Sequence, residues 1–167
     1  MDWEELYIKY SDDVFKFIFF MTYEKEIAED LTHDTFIKVK KSLTNFRGES
    51  SYYTWIISIA RNVTYDYLRR KHKIKFLSFH IRNHSKQTKE TAEELVLNEE
   101  SLKELYRAIN NLKVNYKEVV ILRKIQGLSV EETAQALGWS KSKVKSTMQR
   151  ALEKLKQEIT HLDIKEG

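Results

Sequence analysis

From residue 3 to 21 the apolar side chains recur at helical spacing, with Leu6, Tyr10, Val14, Phe17 and Ile18 on one face. A second block, about 25–43, lines up Ala28, Leu31, Thr35 and Val39, with Phe36 and Leu43 beside them. The stretch TNFRGES, residues 44–50, is rich in turn formers and breaks the period. A third block, about 51–72, sets Ile56, Ile59, Ala60, Val63 and Tyr67 in a stripe expected to be buried. Three amphipathic helices with short connections predict a small bundle.

The period is then lost. The polar run HSKQTKETAEE has no apolar repeat and predicts a mobile linker beginning near residue 74, in which Phe76, Leu77, Phe79 and Ile81 have no assigned docking site. Order is expected to return near Glu99. Leu102, Leu105, Ile109 and Leu112 predict a helix over 101–112, and Val119, Val120, Leu122 and Ile125 another over 116–125. The clearest local signal follows in GLSVEETAQALGWSKSKVKSTMQRALEKLKQ. Gly127 ends one helix. Ser129 is a fitting N-cap, with Glu132 three residues on to complete a capping box. Val130 to Leu137 form one short amphipathic element, and Gly138 suits the left-handed position after it. Ser140 caps the last helix, whose stripe is Val144, Met148, Leu152 (beside Ala151), Leu155 and Ile159. Two helices joined by a tight glycine turn predict a helix-turn-helix. Ala134 must be small because the second helix crosses it, and Val144 fills the space between them.

The expected fold is therefore all-α: two small helical domains, residues 1–73 and 101–167, joined by a flexible linker over 74–100, the C-terminal domain a helix-turn-helix. Composition agrees. Proline is absent and glycine occurs four times in 167 residues, while 41% hydrophobic residues supply a core. Without cysteine, disulfides and thiolate metal sites are excluded. The longest apolar run, Val14 to Met21, is interrupted by Lys16 and too short to span a membrane, and the N-terminus is acidic where a signal peptide would be basic. A soluble, cytoplasmic protein is expected.

Charge changes the picture more. The net +4 is an average over blocks: 6 basic against 10 acidic residues over 1–44, 10 against 2 over 45–89, 2 against 6 over 90–111, and 11 against 7 over 112–167. Two basic blocks point to phosphates, and the acidic ones to a basic partner or a linker. On the last helix, Lys141, Lys143, Lys145 and Arg150 project with Ser142, Ser146 and Gln149 opposite the apolar stripe. A plain helical hairpin with a solvated basic face is the bland alternative. A helix tip carrying small polar residues and cations suits the major groove, where Ser, Gln and Lys meet base edges and other lysines meet phosphates. In the first basic block, Tyr52 and Tyr53 are adjacent and so lie about 100° apart on a helix, which leaves one of them partly exposed. Trp55 is assigned to the core. Exposed aromatics among Arg47, Arg61, Arg69 and Arg70 offer stacking faces for unpaired bases.

Enzymatic chemistry finds little support. Of the histidines, His33, His72, His80, His84 and His161, only His80 and His84 have ligand-like spacing, and no third ligand accompanies them. No phosphate-binding glycine loop or nucleophile elbow occurs. No cofactor, metal or small-molecule substrate is expected, and sites of catalysis are none.

The segment AEDLTHDTFIKVKKSLTNFRGESSYYTWIISIARNVTYDYLRRK, followed after a linker by the helix-turn-helix, resembles the extracytoplasmic-function (ECF) sigma factors of bacterial RNA polymerase, over roughly 5–72 and 101–158. The resemblance implies that the AEDLTHDTFIKV helix docks on the clamp helices of the polymerase largest subunit through Glu29, Asp30, His33, Asp34 and Lys38, His33 standing where the family often has glutamine. It implies that Asn45, Arg47, Ser50, Tyr52, Tyr53, Arg61, Asn62, Tyr65, Asp66, Arg69 and Arg70 recognise the minus-ten promoter element, with a nontemplate base flipped into a pocket of the loop. The C-terminal helix would read the minus-thirty-five element as duplex, next to the polymerase flap, and the linker would run toward the RNA exit channel. Partners implied are core RNA polymerase, promoter DNA and an anti-sigma factor, which in the family is often membrane-anchored. The rival reading is a helix-turn-helix regulator that acts without replacing sigma.

Overall fold

The computed structural model describes residues 1–78 and 100–166. Within them lie seven helices and no strand: α1 (Trp3–Thr22), α2 (Lys25–Ser42, ending in a 3-10 turn Leu43–Asn45), α3 (Tyr52–Ser78), α4 (Glu100–Asn110), α5 (Val114–Val120), α6 (Val130–Leu137) and α7 (Lys141–Glu166). The expected linker residues 79–99, including Phe79, His80, Ile81 and His84, lie outside the described residues.

The first three helices form the predicted bundle. Asp2 and Glu5 close a capping box at the start of α1. Its end is a left-handed Tyr23 (φ 60°), whose N–H donates to the Phe19 carbonyl at 2.7 Å. Leu6, Val14, Phe17, Ile18, Ala28, Leu31, Phe36, Val39, Ile56, Ala60 and Val63 are buried as their spacing requires. Buried threonines on the same faces satisfy themselves: Thr32, Thr35 and Thr64 each donate to the carbonyl four residues back, at 2.6, 2.7 and 2.8 Å. Helix α3 runs on to Ser78, past its expected end near 72 and into the region expected to be linker. No glycine or proline stops it, although Ile74, Phe76 and Leu77 are exposed. Ile59, Tyr67 and Trp55 are half-buried rather than core.

The C-terminal helices do not stand apart from this bundle. Phe19, Phe20 and Met21 are buried on faces of α1 that the bundle alone leaves open, and Phe20 stacks on Tyr106 of α4 with ring centres 4.9 Å apart. Ile109, Val119, Ile121, Leu122, Leu128, Ala136 and Leu137 join the same apolar cluster as the α1–α3 core.

Two local departures from the predicted pattern have physical causes. The expected helix over 116–125 is α-helical to Val120 and then widens into a π turn, Ile121–Ile125, closed by Gln126 N–H donating to Ile121 C=O at 2.9 Å. The extra residue in that turn rotates the face, so Ile121 and Leu122 are buried while Ile125 is exposed. On α7, Val144 and Ala151 are buried and Leu152 is exposed, because the buried stripe runs through Ala151, which packs with Leu112 and Val120.

Lys117 is the most heavily desolvated cation among the described residues. It is 7% exposed, donates to Asn110 Oδ1 at 3.3 Å, and burial pushes its pKa down to about 8. The unfolded lysine keeps its proton to about 10.4, so between about pH 8 and that value the unfolded chain binds more protons and stability rises with pH; below pH 8 the full penalty applies. Lys117→Met is expected to stabilise the fold at pH 7 by about 1–3 kcal/mol and to flatten the rise above pH 8. Urea unfolding at pH 7 and pH 9.5 checks both; a variant no more stable than the parent at pH 7 contradicts the assignment.

Candidate nucleic-acid interface

Three surfaces hold the residues singled out by the sequence. The first is the α2 face. Glu29, Asp30, His33, Asp34 and Lys38 are all exposed, opposite the buried Ala28, Leu31, Thr35 and Val39. Ile37 is also exposed among them, at 38%.

The second is the N-terminal end of α7. Ser129 and Glu132 form the capping box that starts α6. Gly138 is left-handed at φ 67°, and its successor Trp139 donates its N–H to the Ala134 carbonyl at 2.9 Å. Ser140 Oγ then accepts the Lys143 N–H at 3.2 Å, which fixes the first turn of α7. Lys141, Ser142, Lys143, Lys145, Ser146, Gln149 and Arg150 are all exposed, while Val144, Thr147 and Ala151 are buried on the other side. Lys143 lies over the Trp139 ring, 4.1 Å from its centre, a contact the sequence reading missed. Lys141 pairs with Glu131 at 3.1 Å, but both side chains are more than half exposed and solvent screens the pair.

The third surface is α3 and the loop before it. Gly48, at φ 71°, turns the chain, and Ser51 caps α3 by accepting the Thr54 N–H at 3.1 Å. Phe46 folds back onto the helix, with ring centres 4.4 Å from Tyr52 and 4.9 Å from Trp55. Both tyrosines of the pair are therefore half-buried and engaged. Tyr53 stacks on Tyr10 at 5.5 Å and donates its hydroxyl to Gln126 Oε1 at 2.7 Å. Burial first, then the charges of Asp13 and Glu132, push its phenol well above the ordinary tyrosine range. Asn45 and Arg47 in the loop, and Asn62, Asp66, Arg69 and Arg70 along α3, are exposed; Ser50 is half-exposed. Arg69 pairs with Asp66 at 2.8 Å on the open surface.

Arg61 and Tyr65 are half-buried and turned toward the C-terminal helices. Arg61 Nε donates to Glu118 Oε1 at 2.6 Å, Tyr65 donates its hydroxyl to Glu118 Oε2 at 2.9 Å, and the guanidinium lies 4.6 Å over the Tyr65 ring. The Glu118 side chain is fully buried. Burial raises its pKa, and the Arg61 charge and the two hydrogen bonds act against that rise, as does the charge of Lys143. Tyr65 is pushed up to about 12 by burial and by Glu118, with Arg61 pulling it back. Gln126 completes the contact by donating Nε2 to the Asp13 carbonyl at 2.6 Å. Glu118 and Gln126 carried no signal in the sequence: one precedes an apolar run and the other a turn glycine, and each acts only across the chain.

This geometry can be set beside known proteins. The model of sigma-70 region 2 matches residues 6–74, and that of sigma-70 region 4 matches residues 102–155. The chain is 36% identical over 158 residues to the ECF RNA polymerase sigma factor SigX of Bacillus subtilis, covering 92% of this chain and 81% of that one. It is 37% identical over 158 residues to the RNA polymerase sigma factor YlaC of the same organism, covering 94% and 91%. Its fold is similar to that of the sigma factor RpoE, solved in complex with the anti-sigma factor NepR from Bartonella quintana, with a TM-score of 0.77 at 22% identity over 94% of this chain and 96% of that one. A helical bundle matching region 2 and a helix-turn-helix matching region 4 define a DNA-binding transcription initiation factor of the sigma-70 type. The chain belongs to the ECF sigma factors of RNA polymerase, and directs promoter-specific transcription.

The left-handed turn sets the angle at which α7 leaves α6. A methyl group at Gly138 would meet nothing within 4 Å, so its cost is backbone strain alone. Gly138→Ala is expected to lower stability by about 1–2 kcal/mol, and Gly138→Asn by less. Thermal unfolding checks the order; equal stability of all three contradicts a requirement for the left-handed turn.

Proposed function

We propose that the three surfaces divide promoter recognition among them. The α2 face, with Glu29, Asp30, His33, Asp34 and Lys38, docks on the clamp helices of core polymerase. The exposed tip of α7 reads the minus-thirty-five element in the major groove, with Lys143 and Lys145 on phosphates or base edges. The loop from Asn45 and helix α3, through Arg47, Ser50, Tyr52, Tyr53, Arg61, Asn62, Tyr65, Asp66, Arg69 and Arg70, hold the minus-ten element as opened strand. The observation that carries this reading is the one-sidedness of α7: every candidate base- or phosphate-contacting residue is exposed on the face opposite Val144 and Ala151.

In mechanism the chain then supplies binding energy. Polymerase provides sequence-independent affinity, and stacking on aromatics with capture by cations offsets the few kcal/mol of unpairing per extruded base. Nucleotide addition belongs to the polymerase. Among the described residues no helix is long and apolar enough to cross a membrane, and the reading places the chain in the cytoplasm. The neighbour RpoE was solved with an anti-sigma factor, and a partner of that class is part of the reading here.

Run-off transcription with core polymerase on a promoter library, followed by sequencing of the selected sites, tests the division. Lys143→Ala with Lys145→Ala is expected to erase preference at the upstream element and, if each lysine meets a phosphate, to reduce the salt slope of promoter binding by about 2. An unchanged upstream preference contradicts the assignment of α7. Tight operator binding by the chain alone, with no effect on initiation by core polymerase, contradicts the whole reading.

A further inference from the structure

Helices α1, α3, α4 and α5 border a cleft of about 470 Å³. Met21, Leu68 and Val114 give it an apolar wall, and Lys117 and Asn110 line it from α5 and from the end of α4. Lys117 is 7% exposed, and its ammonium donates to Asn110 Oδ1 at 3.3 Å, so both partners of that bond lie on the cleft. An ammonium has three donors, and among the described residues no second acceptor and no carboxylate takes the others. The adjacent Glu118 is committed to Arg61 and Tyr65. A buried cation without a counter-ion is costly, and proteins almost always pair such charges. The other ionic side chains on the cleft are basic as well: Arg69, Lys71, His72 and Lys75. Asp66 takes Arg69 and Glu24 takes Lys71, but neither carboxylate lines the cleft.

We infer that this cleft binds a small phosphate ester, with the phosphate on Lys117 and the organic part along Met21, Leu68 and Val114. The inference goes beyond promoter reading and does not depend on which residues meet DNA. Three features select the ligand. A phosphate accepts several hydrogen bonds at once and suits an ammonium with donors to spare. The volume falls within the range of small-molecule sites, about 300–1,000 Å³, and exceeds what a bare ion fills. The apolar wall gives a carbon skeleton something to cover. Depth then separates a monoester from a nucleic-acid backbone. A monoester has a free end that can reach a side chain 7% exposed, whereas a phosphodiester carries a sugar on both sides. The bound dianion supplies the counter-ion that Lys117 lacks, so the residue that weakens the free fold is the one that holds the ligand.

The probes are inorganic phosphate, the common ribonucleoside monophosphates and the matching nucleosides, each titrated into the full chain by calorimetry, with thermal unfolding alongside. At least one nucleotide is expected to bind more tightly than inorganic phosphate and to raise the melting temperature as its concentration rises, while the nucleosides do neither. Lys117→Met should weaken nucleotide binding about tenfold or more, the weight of one charge-assisted hydrogen bond. Lys124→Met, which removes the same charge from an exposed position outside the cleft, should leave it unchanged. Lys117→Met is expected to be more stable than the parent, so its loss of binding is not a loss of fold. No heat and no melting shift with any phosphate overturns the site. Equal weakening by Lys117→Met and Lys124→Met overturns it too, since that marks general attraction to a basic surface. Nucleotides that bind no more tightly than inorganic phosphate overturn the ester. A single-stranded oligonucleotide without a terminal phosphate that binds through Lys117, where the mononucleotides do not, gives the cleft to a nucleic-acid backbone and overturns the proposal.

Discussion

A carboxylate buried to the exclusion of water dictates how the two helical units of this sigma factor meet. Glu118 has no solvent contact, and its two oxygens take one hydrogen bond from Arg61 and one from Tyr65. A buried ion pair adds little net stability compared with apolar packing, but removing one partner costs about 3–5 kcal/mol. Such a pair therefore selects one arrangement over its competitors more than it strengthens the fold. Apolar surfaces on α1, α3, α5 and α6 could slide past one another at modest cost. The Glu118 contacts, and the Gln126 bridge between Tyr53 and the α1 backbone, fix a single register. The π turn belongs to the same device, since it ends at Gln126 and is closed by that residue's own N–H.

Much of this architecture was legible in the sequence, because helical period and capping are local. The capping box at Ser129, the left-handed Gly138 and the span Val130–Leu137 follow from neighbours a few residues apart, and the exposed faces of α2 and α7 follow from the stripes opposite them. Long-range pairing was not legible. A glutamate beside Val119 and Val120 reads as a surface residue, and nothing within its own helix says that an arginine far along the chain will bury it. The run from Phe17 to Met21 did carry a hint: five consecutive apolar residues on a helix cannot share one face, so a second surface had to cover α1. Leu152 misled because periodicity weighs hydrophobicity, whereas the face of α7 that meets Leu112 and Val120 carries the smaller Ala151.

The inner side of α3 carries aromatic and cationic residues that in this structure take a carboxylate and an amide from within the chain. A guanidinium and a phenol bind an oxyanion by charge-assisted hydrogen bonds, and Glu118 supplies that oxyanion.

The most direct test is the distance between spin labels at Lys41→Cys on α2 and Lys156→Cys on α7, both exposed positions, measured in the parent and in Glu118→Leu. The account predicts one narrow distance in the parent and a broadened distribution in Glu118→Leu. The same narrow distance in both would contradict it.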